Sequence, residues 1–143
     1  MRRTAIVLVM TIVAATTLTG CGGRSSYCDA VEKNKSSLNT FGEKRTNAAY
    51  EDYAKVFASV AKVAPADIKK DWTTLADVTK GILTAQNDAN LKLEEMTDAA
   101  KVKKLSAAQL KKLNDAYKAF NGTGAQRTAV VKNVLQECDI KLK

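Results

Sequence analysis

Apolar residues recur along this chain at steps of three and four, and no stretch alternates apolar with polar over strand length. That spacing builds one-faced helices and leaves no material for a sheet. From Asn47 to Ala64 the stripe is Tyr50, Tyr53/Ala54, Phe57, Val60/Ala61 and Ala64. Pro65, the single proline, ends that helix and sits at the first turn of the next, where its missing N–H costs nothing. Ile68, Trp72, Leu75, Val78/Thr79 and Ile82 form the next stripe, with Asp67 suited to its positive N-terminus. Gly81 in mid-helix is a defect of about 1 kcal/mol against alanine.

After a break at Asn87-Asp88-Ala89-Asn90, helical spacing resumes through Leu93, Met96 and Ala100. Residues 66–104 are therefore expected as either one long bent helix or two. Ser106 can cap a helix carrying Leu110, Leu113, Tyr117 and Phe120, which Asn121-Gly122-Thr123-Gly124 should terminate. A final helix from Ala125 to Cys138 should turn Val131, Val134/Leu135 and Cys138 inward. A thin first helix, Ser26 to Leu38, is expected with Ser26 as its cap and Tyr27/Cys28, Val31 and Leu38 on its apolar side. The fold class is all-α: a small antiparallel bundle of four to five helices.

The first twenty residues read differently. Met1-Arg2-Arg3 is a basic start, Ala5–Ala15 is an apolar run of eleven residues, and Thr16–Gly20 ends in small side chains. A run of that length is too short to span a bilayer, which takes about 20 residues, and suits a signal peptide. With Leu18-Thr19-Gly20-Cys21 behind it, the segment resembles a bacterial lipoprotein signal and its lipobox. The resemblance implies cleavage between Gly20 and Cys21 and acylation of the Cys21 thiol. Two or three acyl chains would anchor the protein durably, since one chain binds membranes only marginally. A plain secretory signal, or a twin-arginine signal at Arg2-Arg3, are the competing readings. The expected division is signal peptide 1–20, flexible tether 21–26 and helical domain 27–143, placed at the cell membrane on its extracytoplasmic side.

Without residues 1–20 the chain keeps 123 of its 143 residues, enough for one domain. Loss of Arg2 and Arg3 lowers Lys+Arg from 23 to 21 against 15 Asp+Glu, so the remainder carries about +6. Outside the membrane the anions it would meet are lipid headgroups and wall polymers rather than nucleic acid. The lysines are scattered along the sequence, and a solvated helix surface is the plainer account of them. The chain has no histidine, which removes the commonest general base and metal ligand and with it Ser-His and Cys-His nucleophile pairs.

Besides Cys21 only Cys28 and Cys138 remain. In an oxidising compartment a disulfide between them is the natural expectation; a redox or metal-binding pair is the alternative, without the usual Cys-x-x-Cys spacing. Tyr27-Cys28-Asp29, Ala64-Pro65 followed by Ile68 and Asp71-Trp72, and Glu137-Cys138-Asp139-Ile140 complete a pattern. Together with the lipobox it resembles small helical lipoproteins of actinobacteria. That resemblance also implies a Cys28–Cys138 bridge joining first and last helix. In such proteins glycine often follows the last cysteine; Asp139 stands there here and should leave the helix end less well capped.

Glu94, Glu95 and Asp98 form an acidic cluster, but without the spaced ligands and glycine of a calcium loop. A solvated face beside Lys92 and Lys101 is the plainer reading, and no metal or cofactor is expected. Tyr50, Tyr53, Phe57, Trp72, Tyr117 and Phe120 are candidates to line an apolar cavity between helices, as bundles do, or simply to form the core. No polar constellation suggests catalysis. The expectation is a non-enzymatic interaction or accessory protein of the cell envelope, with an envelope protein or anionic wall polymer as partner. The alternative is a lipoprotein that holds a lipid or other apolar molecule in its bundle.

Overall fold

The computed structural model describes residues 25–143; Gly20, Cys21 and most of the expected tether lie outside the described residues. The chain folds into α1 (Ser26–Lys33), α2 (Lys35–Asn39), α3 (Asn47–Val63), α4 (Ala66–Ala89), a 3-10 turn (Leu93–Glu95), α5 (Ala99–Val102), α6 (Ala107–Asn121) and α7 (Gly124–Cys138). The described residues are all helix and connection. The bundle is carried by α3, α4, α6 and α7, each of 15 residues or more, with α1 packed across one end.

Two extended residues, Ala64 and Pro65, reverse the chain between α3 and α4, and this antiparallel pair is the most extensively packed in the molecule. Both α6 and α7 also pack on α4. Asn121-Gly122-Thr123-Gly124 ends α6 as expected, but without reversing the chain. Gly122 (φ −70°, ψ −4°) and Thr123 (φ −86°, ψ 20°) stay near helical geometry, so α6 and α7 follow one another as a bent rod. The rod runs back along α4, with Lys112 on Asp88 at one end and Asn133 near Trp72, through Tyr27, at the other.

The core centres on Trp72, Val31, Val60, Ile82 and Val134, all fully buried. Trp72 Nε1–H donates to the Tyr27 hydroxyl (3.1 Å), which donates to Asn133 Oδ1 (2.8 Å), tying α4, α1 and α7 together. Beside this relay Cys28 and Cys138 form a disulfide, with Cα atoms 5.2 Å apart. First and last helices are thus stapled, as expected. A smaller cluster, Ala85, Ala89, Leu91 and Leu113, joins the end of α4 to α6.

Five expectations need correction. The first helix is two: the chain breaks at Asn34 (φ −104°, ψ 8°), whose side-chain amide donates to the Ala30 carbonyl. Its cap is Ser25, not Ser26; the Ser25 hydroxyl accepts the Cys28 N–H at 3.2 Å. Residues 91–104 are neither an extension of α4 nor a second long helix. Asn90 takes up the left-handed conformation (φ 48°) and ends α4, and residues 91–106 form a strap holding one 3-10 turn and the four-residue α5. On α6, Leu110 is 36% exposed. On α7, Leu135 is 48% exposed and Val131 only half-buried, while Val130 is buried instead. The inward face is set by the bridge: Val134 and Val130 lie one and two helical repeats before Cys138 and share its side of the helix.

Candidate ligand cleft

The bend between α6 and α7 frees a carbonyl. Gly122 and Thr123 interrupt the ladder, and the Phe120 carbonyl accepts three donors in its place: the Thr123 N–H (3.2 Å), the Thr123 hydroxyl (2.7 Å) and Arg127 Nη2 (3.0 Å). Arg127 Nε also donates to Thr123 Oγ1 (3.1 Å), and its guanidinium lies over the Phe120 and Phe41 rings, 4.6 and 5.2 Å from their centroids. A flexible side chain is thereby held in one place. A guanidinium has five N–H donors, so three stay unspent. Among the described residues no carboxylate pairs with it.

That guanidinium lines a cleft of about 600 Å³. The walls are the start of α3, the bend, and the strap. Tyr50 stands on the first; Tyr117 and Phe120 on the second; Leu93, Glu94, Met96 and Thr97 on the third. Gly42 and Arg45, from the loop before α3, close one side. Gly42 has φ +84°, a conformation that L side chains rarely adopt.

The polar groups of the cleft are mostly donors. The Tyr117 oxygen accepts from Gln86 Nε2 at 2.9 Å, which leaves its own proton free. Tyr50 is buried to 4% exposure, yet its hydroxyl has no partner among the described residues. Arg45 is exposed and bonded to none of them. The pKa of Tyr50 is raised by burial, against the opposing fields of Arg45 and Arg127. That of Tyr117 is also raised by burial, opposed by the Gln86 hydrogen bond and then by Arg45. Glu94 is the single carboxylate on the wall, and it is engaged: its Oε2 accepts the Asn47 N–H at 3.0 Å, at the start of α3. Asn47 reciprocates, Oδ1 accepting the Leu93 N–H at 2.8 Å. Hydrogen bonds from its own N–H and then from Asn47 hold the Glu94 carboxyl below the usual glutamate range.

Of the six aromatic candidates the fold brings three, Tyr50, Tyr117 and Phe120, to this cleft. Tyr53, Phe57 and Trp72 are sealed in the core at 3%, 2% and 0% exposure; Tyr53 donates to the Thr40 carbonyl and Trp72 to Tyr27. Arg127, Arg45 and Gln86 were not singled out from sequence. Two signals were present. A break as abrupt as Asn121–Gly124 frees a carbonyl that needs a donor, and Arg127 is one turn away. Gln86 sits four residues after Ile82 on the apolar stripe of α4, and its Oε1 is buried without a partner.

The acidic cluster divides its work. Glu94 serves Asn47; Glu95 accepts the Lys92 N–H and pairs with Lys101; Asp98 caps α5 by accepting from Ala100 and Lys101. Among the described residues no three acidic or cysteine side chains are grouped to hold a metal ion, and no helix is long and apolar enough to cross a membrane.

A second surface feature runs along the α3–α4 pair. Two shallow grooves of about 480 and 300 Å³ share Ala58, Lys62 and Lys80 and add Lys55 and Lys69. Lysines scattered in sequence are gathered here by the hairpin at Ala64-Pro65. Glu51 and Asp77 are the acidic residues on the same walls. No protein-family model, curated protein or solved structure matches this chain.

Proposed function

We propose that this is an exported lipoprotein, cut before Cys21 and held by acyl chains on that residue, whose helical domain works by binding rather than by catalysis at the outer face of the cytoplasmic membrane. The observation that carries the binding role is the α3–α4 groove. Lys55, Lys62, Lys69 and Lys80 line a continuous alanine-floored surface, a shape and charge suited to an anionic envelope partner. The Cys28–Cys138 bridge supports the location, because structural disulfides persist in oxidising compartments.

The test is crosslinking in intact membranes. The native chain should yield a specific protein or wall-polymer adduct on the groove lysines. A Lys62→Gln/Lys69→Gln/Lys80→Gln variant should lose most of it while keeping its melting temperature. Recovery of the free monomer alone, or adducts indifferent to the variant, would count against the groove.

A second reading, a lipid-like or other apolar small molecule bound by the bundle, is favoured by the cleft at Tyr50, Tyr117 and Phe120. Its volume falls within the 300–1,000 Å³ or so of small-ligand sites.

A further inference from the structure

We infer that the cleft at the α6–α7 bend is a site for a single-chain amphiphile with an oxyanion head, a carboxylate or a phosphate monoester; this rests on the second reading above and gives it a ligand class. The inference comes from what the cleft offers and what it lacks. Its uncommitted polar groups are the remaining Arg127 N–H donors, Arg45, the hydroxyls of Tyr50, Tyr117 and Thr97, and the Asn121 amide. Its one carboxylate, Glu94, already accepts the Asn47 N–H. A concave surface with two guanidinium groups and several further free donors, and with its one carboxylate already holding an N–H, is complementary to an oxyanion.

Arg127 supplies the geometry. Guanidinium groups match carboxylate and phosphate with paired N–H···O bonds. This one is already immobilised by Phe120, Thr123 and two aromatic rings, so little further freedom is lost when an anion arrives. Leu93 and Met96, with the Phe120 ring beneath the Arg127 guanidinium, give the apolar part of the ligand a surface beside the cations. Methionine adapts readily to an irregular chain. The strap carries two of these apolar residues and is held to α3 by the Asn47–Glu94 and Asn47–Leu93 bonds, so it forms one side of the site without sealing it.

The test uses the full chain in its own membranes and a dodecanoate carrying a photoreactive diazirine. Crosslinked residues should fall within 93–97 and 117–127. Dodecanoate and dodecyl phosphate should compete; dodecanol and inorganic phosphate at the same concentration should not. Arg45→Ala removes a side chain that bonds to no described residue, so the fold should persist while labelling drops by about tenfold, the scale of one charge-assisted contact. Arg127→Lys keeps the charge, loses the fork, and should also label weakly. Lys132→Ala, exposed on α7 and outside both the cleft and the groove, should change nothing. If dodecanol competes as well as dodecanoate, or both arginine variants label fully, the oxyanion site is overturned while an apolar ligand stands. Labelling confined to other segments overturns both. Sedimentation of the same samples reports on the anchor independently, since a chain released from membranes can still be labelled and mapped.

Discussion

Tyr27 links three helices through one hydroxyl, accepting from Trp72 and donating to Asn133. Tyr27→Phe keeps the ring and removes the link, leaving the indole N–H of a fully buried tryptophan without a partner. A buried orphan donor costs about 1–3 kcal/mol, so denaturant unfolding should show a loss of that size. Asp139 is the opposite case. It ends α7 with φ 54°, a conformation that costs most residues about 1–2 kcal/mol and Asp somewhat less. Glycine adopts it freely but loses more chain entropy on folding. Asp139→Gly should therefore stabilise the protein by roughly 0.5–1 kcal/mol, read as a higher midpoint at unchanged slope. The sequence pointed to this weak helix end, because glycine is the usual residue there. It did not point to the Tyr27 relay, because hydrogen bonds between residues 106 apart in the chain leave no periodic trace.

At the scale of elements, α4 carries the bundle and has a single glycine, Gly81. A Cβ at Gly81 would meet nothing within 4 Å, so Gly81→Ala should add the helix-propensity difference, about 0.5–1 kcal/mol, with no steric penalty. Loss of stability would mean that α4 needs a glycine at that point. The strap makes a pH-dependent prediction. Hydrogen bonds lower the folded-state pKa of Glu94, so its contribution is present above the unfolded value of about 4.3 and is lost as pH falls through the lower folded value. An NMR titration should find the Glu94 carboxyl midpoint below that of a free glutamate, with the Asn47 and Leu93 amides shifting alongside it. A normal midpoint, or amides that do not follow, would show that the clamp on the strap is not formed in solution.

Elements differed in how plainly they could be read. Helices α3 and α4 have long one-sided stripes and a proline between them, and the bounds of α3 and the start of α4 follow almost residue by residue. The strap imitates a helix because Leu93, Met96 and Ala100 fall at helical spacing. What ends α4 is backbone: Asn90 turns left-handed, and periodicity does not register that. On α7 the spacing points to Val131, whereas packing beside the bridge buries Val130 instead.

For the whole molecule the disulfide is the principal staple. It closes a loop of 110 residues between the first and last helices, worth about 4–5 kcal/mol in the chain-entropy model. Reduction, or Cys28→Ser with Cys138→Ser, should lower stability by that order and loosen α1 first. Equal stability of reduced and oxidised protein would remove the staple from the account. The three cysteines then divide cleanly: two close the bundle, and Cys21 is left as the proposed anchor. The class of the fold could be read from spacing, and the groove and the cleft could not. Both arise where residues distant in sequence meet: four lysines along a hairpin, and two arginines with three aromatic rings around a bend.

The most direct test of the proposal as a whole is the intact mass of the protein extracted from its own membranes. The account predicts a chain that begins at Cys21 and carries diacylglyceryl, with or without a further acyl group on its amino-terminus. A chain beginning elsewhere, or one with an unmodified Cys21, would contradict it.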